Sequence, residues 1–349
     1  MAKGSIDYHK KIEQMLMEMP DFVSDFIYNF GQVEKTATKF QYCHDIRDFL
    51  NFMVNFMPEH DGKSIRELTR DDIAGVEPLY INRYLTMLSG KGDSGLKLST
   101  VKRRRASLSS MYGFFVVNGK MNANPVASTR PIRLPEKSLI YLNNDEQLSL
   151  LNTVRYGTNL PDKTLKRHKT FAERDSAMFL LLLDTGLRVS EMLDTDIKDF
   201  SIEDCSVLVT RKGGDHEFVY YSDECAGCLQ EYFESQRLKY AIKDDDFPAF
   251  TTSTGVRLGV RAVETLVKKY VRACFPDKES LMSPHKLRSS FAMSFYEASD
   301  RDILLLQKKL HHKSITTTNI YAKASDKASE ESRNLLQGVR NRNSSKKDI

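Results

Sequence analysis

Six side chains in the C-terminal part of the 349-residue chain could do chemistry around an anion: Arg188, Lys212, His285, Arg288, His312 and Tyr321. Two are guanidinium groups, which stay charged and grip oxyanions through a planar fork. The tyrosine hydroxyl titrates near pH ~10, so it attacks at neutral pH only with help from a base or a cationic site. The six lie in five short segments: Thr185-Gly-Leu-Arg-Val-Ser-Glu191, the turn at Lys212, His285-Lys-Leu-Arg288, Leu310-His-His312 and Thr318-Asn-Ile-Tyr321. Each has an ordinary structural reading when taken alone. Arg188 and Glu191, three residues apart, can form a helix-surface ion pair. A lysine in a turn is usually solvated, His285 and Arg288 can act as a cap and a salt-bridge partner, and a tyrosine near a helix end packs. Adjacent residues such as His311 and His312 face different ways on a helix, and no HxxxH or acidic partner marks them as metal ligands.

In this order and spacing, the segments resemble the tyrosine recombinase (phage integrase) family. Its pattern is Arg, Lys, His-x-x-Arg, His or Trp, then Tyr, with nine residues from the last His to the Tyr, as from His312 to Tyr321. Glu173-Arg-Asp-Ser-Ala-Met178 running into Leu183-Asp-Thr-Gly-Leu-Arg188 is similar to the family's first catalytic box. Ser283-Pro-His-Lys-Leu-Arg288 with Ser-Ser-Phe-Ala292 is similar to its second. Leu98-Ser-Thr-Val-Lys-Arg103 through Asn124-Pro125 resembles the last helices of its core-binding domain, so the likeness runs from about Thr36 to Tyr321. Two departures stand out. His311 occupies a position where glycine is common, and Asp215-His216-Glu217 follows the hairpin glycines where another Lys or Arg is often found.

The resemblance implies roles. Tyr321 would be the nucleophile, and Arg188, Arg288 and His312 would hold the phosphate oxygens. His285 would serve as base, and Lys212 would protonate the departing 5′ oxygen. The product would be a 3′-phosphotyrosyl enzyme, formed without ATP, metal or other cofactor. Arg211 is a poorer acid than Lys212 because of its high pKa. Glu191 would orient Arg188 or cap backbone, and Asp175 and Asp184 would pair with basic neighbours. The implied architecture is mainly α with a small β-hairpin or sheet, in a two-domain C-shaped clamp. The implied partner is double-stranded DNA carrying paired sites, bound by a homotetramer that docks through terminal helices such as Ser329–Val339. A short lead-in before Thr36 points to a simple, Xer-like enzyme, and the expected role is integration or excision of a mobile element. The alternatives are Xer-type chromosome dimer resolution, a type IB topoisomerase, and a DNA-binding protein whose site has decayed.

Several elements must position these groups. Helical spacing starts in Ser5–Phe30 and strengthens from Thr36; Ser64 or Thr69 can cap a helix read over Asp72–Leu88, and Ser99 a long basic one. Thr129–Lys137, with its two prolines, reads as a linker. Asn143 or Asn144 caps the next helix, and Gly157–Thr170 reads as a polar surface loop. Glu173–Leu193 forms a helix pair broken at Gly186, and Ser206–Thr210 with Glu217–Tyr221 flanks a hairpin turn. The chain then reads helical from Val260 to near Arg342. The expected domains are an extension over 1–30, a core-binding domain over 31–128, a basic linker over 129–138, a catalytic domain over 139–342 and a tail over 343–349.

Composition is consistent with this reading. Hydrophobic residues make up 40% and charged residues 28%, enough for real cores, and the net charge of +5 is modest. Its distribution says more: nine Lys or Arg face only Glu136 between Lys97 and Lys137. Within that stretch Lys102, Arg103, Arg104, Arg105, Arg130 and Arg133 are the expected DNA contacts. No signal peptide or membrane span is visible, and five scattered cysteines suit a reducing cytoplasm. Cys225-Ala-Gly-Cys228 is a lone CxxC without a second pair.

Overall fold

The computed structural model describes residues 7–30, 36–90, 95–135, 138–211, 214–240, 246–312 and 314–325. Lys212, the segment Ser329–Val339 and the tail over 343–349 lie outside the described residues. The chain divides into two compact units between Glu136 and Lys137. Mainly α, it carries one small sheet, and among the described residues no helix is long and apolar enough to cross a membrane.

The first unit is built from α1 (Tyr8–Met17), α2 (Asp21–Asn29), α3 (Thr36–Phe56), α4 (Arg70–Ala74), α5 (Pro78–Ser89) and α6 (Leu98–Val117). Its lead-in helices are integral to it: Ile12, Met19, Phe22 and Phe26 share one buried core with Phe49, Tyr84 and Phe115. The helix expected over Asp72–Leu88 is two helices. Thr69 caps the first through Asp72, and Pro78, which has no N–H to donate, opens the second behind an extended Glu77. On α6 the cap position falls to Lys97 rather than Ser99.

In the second unit come α7 (Asn144–Tyr156), α8 (Asp162–Thr185), α9 (Val189–Leu193), α10 (Asp223–Tyr240), α11 (Val260–Cys274), α12 (Pro284–Ala298), α13 (Ile303–Leu310) and α14 (Ile315–Ala324). Asn143 caps α7 in a capping box with Glu146. The loop expected over Gly157–Thr170 is largely the start of α8, which opens behind Pro161. Lys163, Lys166, Arg167 and Lys169 are exposed there, while His168 is buried and hydrogen-bonds Tyr270 at 3.2 Å. Three antiparallel strands, β1 (Phe200–Ser201), β2 (Ser206–Thr210) and β3 (His216–Tyr220), lie in that order, with Thr210 paired to His216 beside the turn. Only the short β1 was not expected.

The apolar run Met178–Leu183 of α8 is buried at the centre of the larger core. The two cysteines of the CxxC are buried in α10 against the same core, and burial pushes both thiols up, away from the reactive thiolate. A third cluster joins Phe291 and Tyr296 of α12 to Leu306 and Leu310 of α13 and to Tyr321 of α14.

The α8 turn is tightly specified. Gly186 closes the helix with φ +62°, and a Cβ there would lie 2.2 Å from the Phe291 ring. Gly186→Ala therefore combines a left-handed penalty of ~1–2 kcal/mol with displacement of a core ring. A loss of at least about 2 kcal/mol is expected in urea unfolding; an unchanged midpoint would contradict this packing.

Candidate active site

The α8 turn, the start of α12 and the α13–α14 connection converge on one cluster. Arg288, on α12, is 3% exposed. Its guanidinium donates to the carbonyl of Gly186 at the end of α8 and, at 2.5 Å, to that of Leu310 at the end of α13. Burial, then the charge of Arg188, push Arg288 down to about 10, so it is still a cation at neutral pH.

Arg188 is the N-cap residue of α9. Its backbone N–H donates to Glu191 Oε2 at 3.0 Å and its guanidinium to Oε1 at 2.7 Å. Glu191 therefore does both things foreseen for it, orienting Arg188 and capping backbone. Burial works against the Glu191 charge, but the two bonds from Arg188 and the charge of Arg211 outweigh it and hold the carboxyl below its usual value. With 39% of its side chain exposed, Arg188 keeps a solvent-facing edge.

His312 follows the C-cap of α13, where Gln307 holds its carbonyl at 3.0 Å. Its Nδ1 lies 3.0 Å from the buried Thr318 hydroxyl on α14. When that hydroxyl donates to Nδ1, the ring proton sits on Nε2, leaving an N–H to offer an oxyanion. Burial and the charges of Arg288, Arg188 and His285 push His312 down to about 4, so it is neutral at pH 7. His285 lies one turn before Arg288 and faces solvent; desolvation by the surrounding protein, then Lys286, Arg288 and Arg188, hold its pKa below the ordinary imidazole value.

Tyr321 on α14 is 2% exposed and hydrogen-bonded to Ser289, the residue after Arg288. Burial raises its pKa, while Ser289 and Arg288 pull the other way. Five of the six expected residues thus come together, and the sixth, Lys212, lies outside the described residues. Next to it in sequence, Arg211 donates to Glu191 Oε2 at 2.8 Å and to Glu217 Oε2 at 2.7 Å.

The phage integrase family matches residues 141–328, more than half the chain. The chain belongs to the phage integrase family. Over 359 aligned positions this tyrosine recombinase is 25% identical to tyrosine recombinase XerS of Streptococcus thermophilus, covering 95% of this chain and 98% of that one. Tyrosine recombinase XerC of Caldanaerobacter subterraneus subsp. tengcongensis is 27% identical over 321 positions, covering 89% and 85%. The fold is similar to that of XerH bound to a palindromic difH substrate, at TM-score 0.65 and 19% identity over 93% of this chain and 96% of that one. It is also similar to the Tn1549 transposon integrase in complex with a circular intermediate DNA, at TM-score 0.63 and 15% identity over 87% and 95%.

The basic stretch of this tyrosine recombinase is less uniform than its sequence. Lys102, Arg130 and Arg133 are exposed. Arg103 pairs with the buried Asp45, Arg104 with Asp48 at 2.7 Å, and Arg105 with the Thr129 hydroxyl and the Val126 carbonyl. Asp175 pairs with Arg174 as expected, and Asp184 accepts from the backbone and hydroxyl of Ser222. The sequence reading assigned no role to Ser289 or Thr318 and weighed Arg211 only as an acid. Of these, Thr318 had a visible signal, standing three residues before Tyr321 on the same helix.

The low His312 pKa has a stability consequence. Between about 4 and 6.5 the unfolded imidazole binds a proton that the folded one refuses, so this group makes stability fall as pH drops through that window. An NMR titration of His312 should give a midpoint near 4, moving upward in Arg188→Ala. A midpoint at the ordinary imidazole value would contradict the cationic environment.

Proposed function

We propose that the protein is a site-specific recombinase of double-stranded DNA, assembled as a tetramer on two sites, which works through a 3′-phosphotyrosine intermediate. The observation that carries this reading is the convergence of Arg188, Arg288, His312 and Tyr321 on one cluster, with Arg188 and His312 keeping donors free for an oxyanion.

The Tyr321 oxygen attacks the scissile phosphate, forming a P–Oη bond as the P–O5′ bond breaks. The tyrosine proton passes to His285, whose low pKa keeps it unprotonated at neutral pH and ready to accept. Lys212 supplies the proton to the leaving 5′ oxygen. Arg188, Arg288 and the Nε2–H of His312 take up the charge that builds on the non-bridging oxygens. Phosphate ester is exchanged for phosphate ester, so the free 5′ hydroxyl of a partner strand can reverse the step and seal a recombinant.

Two biological roles fit such an enzyme. Alignment over nearly the full lengths of XerS and XerC supports resolution of paired chromosomal sites. The expected mobile-element role has, for support, the likeness in fold to the Tn1549 transposon integrase. Selection of bound duplexes from a randomised pool by Tyr321→Phe protein, followed by mapping of the enriched sequence, separates them. A single chromosomal copy supports the first role, and copies flanking a mobile segment support the second.

The chemistry is tested with a nicked duplex carrying the selected site. Wild-type protein should yield a covalent adduct that survives denaturant, and Tyr321→Phe should yield none. Arg188→Ala should bind the duplex but cleave about 10²–10³-fold more slowly. An adduct of normal yield from Tyr321→Phe would refute the nucleophile assignment.

A further inference from the structure

The two departures from the family pattern touch each other. His311 stands where glycine is common, and Glu217 lies in the stretch where another basic residue is often found. In the fold, His311 Nε2 lies 2.6 Å from Glu217 Oε1. The backbone at His311 is left-handed, with φ +50°, the conformation that favours glycine. A ring-bearing side chain is therefore kept at a position where its backbone is disfavoured, and one of its ring nitrogens meets a carboxylate.

That carboxylate is not isolated. Glu217 also accepts from Arg211, Arg211 donates onward to Glu191, and Glu191 holds Arg188. Hydrogen bonds and close polar contacts run without a break along Arg188, Glu191, Arg211, Glu217 and His311. One end of this ladder is a phosphate-holding arginine, and the other is the residue before His312. Of its middle rungs, Glu191 stands on α9, Arg211 directly after β2 and Glu217 on β3, so two of them belong to the hairpin that carries Lys212 in sequence.

We propose that His311 is a positioning residue: paired with Glu217, it latches the β2–β3 hairpin to the turn that presents His312, so that the hairpin's general acid and the phosphate-holding groups share one register. This rests on the recombinase reading above. Arg211, held on both sides by carboxylates, is a strut of the ladder and not a second acid. The pair also accounts for both departures with one contact, since glycine at 311 would take this contact away from Glu217.

The latch predicts that stability and rate move apart. His311→Gly relieves the left-handed backbone, so its melting temperature should equal or exceed that of wild type. Its single-turnover cleavage of the nicked duplex should nevertheless fall about 10- to 100-fold, with duplex affinity unchanged. Glu217→Gln should cost a similar factor, and the double variant should be no slower than either single one, the signature of coupled partners. His311→Lys, which keeps a hydrogen-bond donor opposite Glu217, should recover most of the rate. Wild-type cleavage by His311→Gly, or a double variant showing the product of the two single losses, would overturn the latch while leaving the recombinase reading intact. Absence of a covalent adduct from wild-type protein would overturn that reading and the latch together.

Discussion

The two hydrogen bonds that Arg288 donates to backbone carbonyls hold the site together. A guanidinium buried to 3% exposure is costly unless its donors are satisfied, and two of them go to the ends of α8 and α13. Those ends carry the turn into Arg188 and the turn into His312. The same group that would meet a phosphate therefore sets the distance between the two others that would meet it. Phe291, one turn further along α12, fills the space over Gly186 and leaves no room for a side chain there.

Electrostatics follow from that placement. Burial and then the charge of Arg188 lower Arg288, both guanidinium groups add to the burial that lowers His312, and among the described residues no carboxylate is bonded to Arg288 directly. Glu191 compensates Arg188 and Arg211, and Glu217 compensates Arg211 while meeting His311. The centre of the cluster is left short of negative charge. Burial, and then this surplus, hold both histidines below the ordinary imidazole value, which suits one to accept a proton and the other to donate a hydrogen bond without adding a further cation. A site organised in this way has its dipoles and charges aimed before the substrate arrives, so little reorganisation is left for the reaction.

Much of this was legible in the sequence because residue type, order and spacing survive in one dimension. The boxes around Arg188 and Arg288, the hairpin and the step from His312 to Tyr321 could all be read. What could not be read depends on partners far apart along the chain. Arg211, Glu217 and His311 meet only through tertiary structure, as does Arg103 with Asp45. Arg103–Arg105 therefore looked like a uniform cationic face when each has a carboxylate, hydroxyl or carbonyl of its own domain. The first turns of α8 were taken for a loop because a solvated basic face hides a helix that buries only a few side chains. The break before α5 hung on Pro78, whose missing N–H outweighed the apolar spacing around it.

The double duty of Arg288 also constrains how such a gene could die. Tyr321 can be exchanged for phenylalanine with its ring still filling the third core, so a silent copy could lose the hydroxyl and keep its shape. Arg288 has no such neutral exit, because its loss would orphan two buried carbonyls and slacken three helices at once. Inactive descendants retained as DNA-binding proteins should thus shed the nucleophile early and the buried arginine last. An arginine at this position in a pseudoenzyme would testify to folding and not to catalysis.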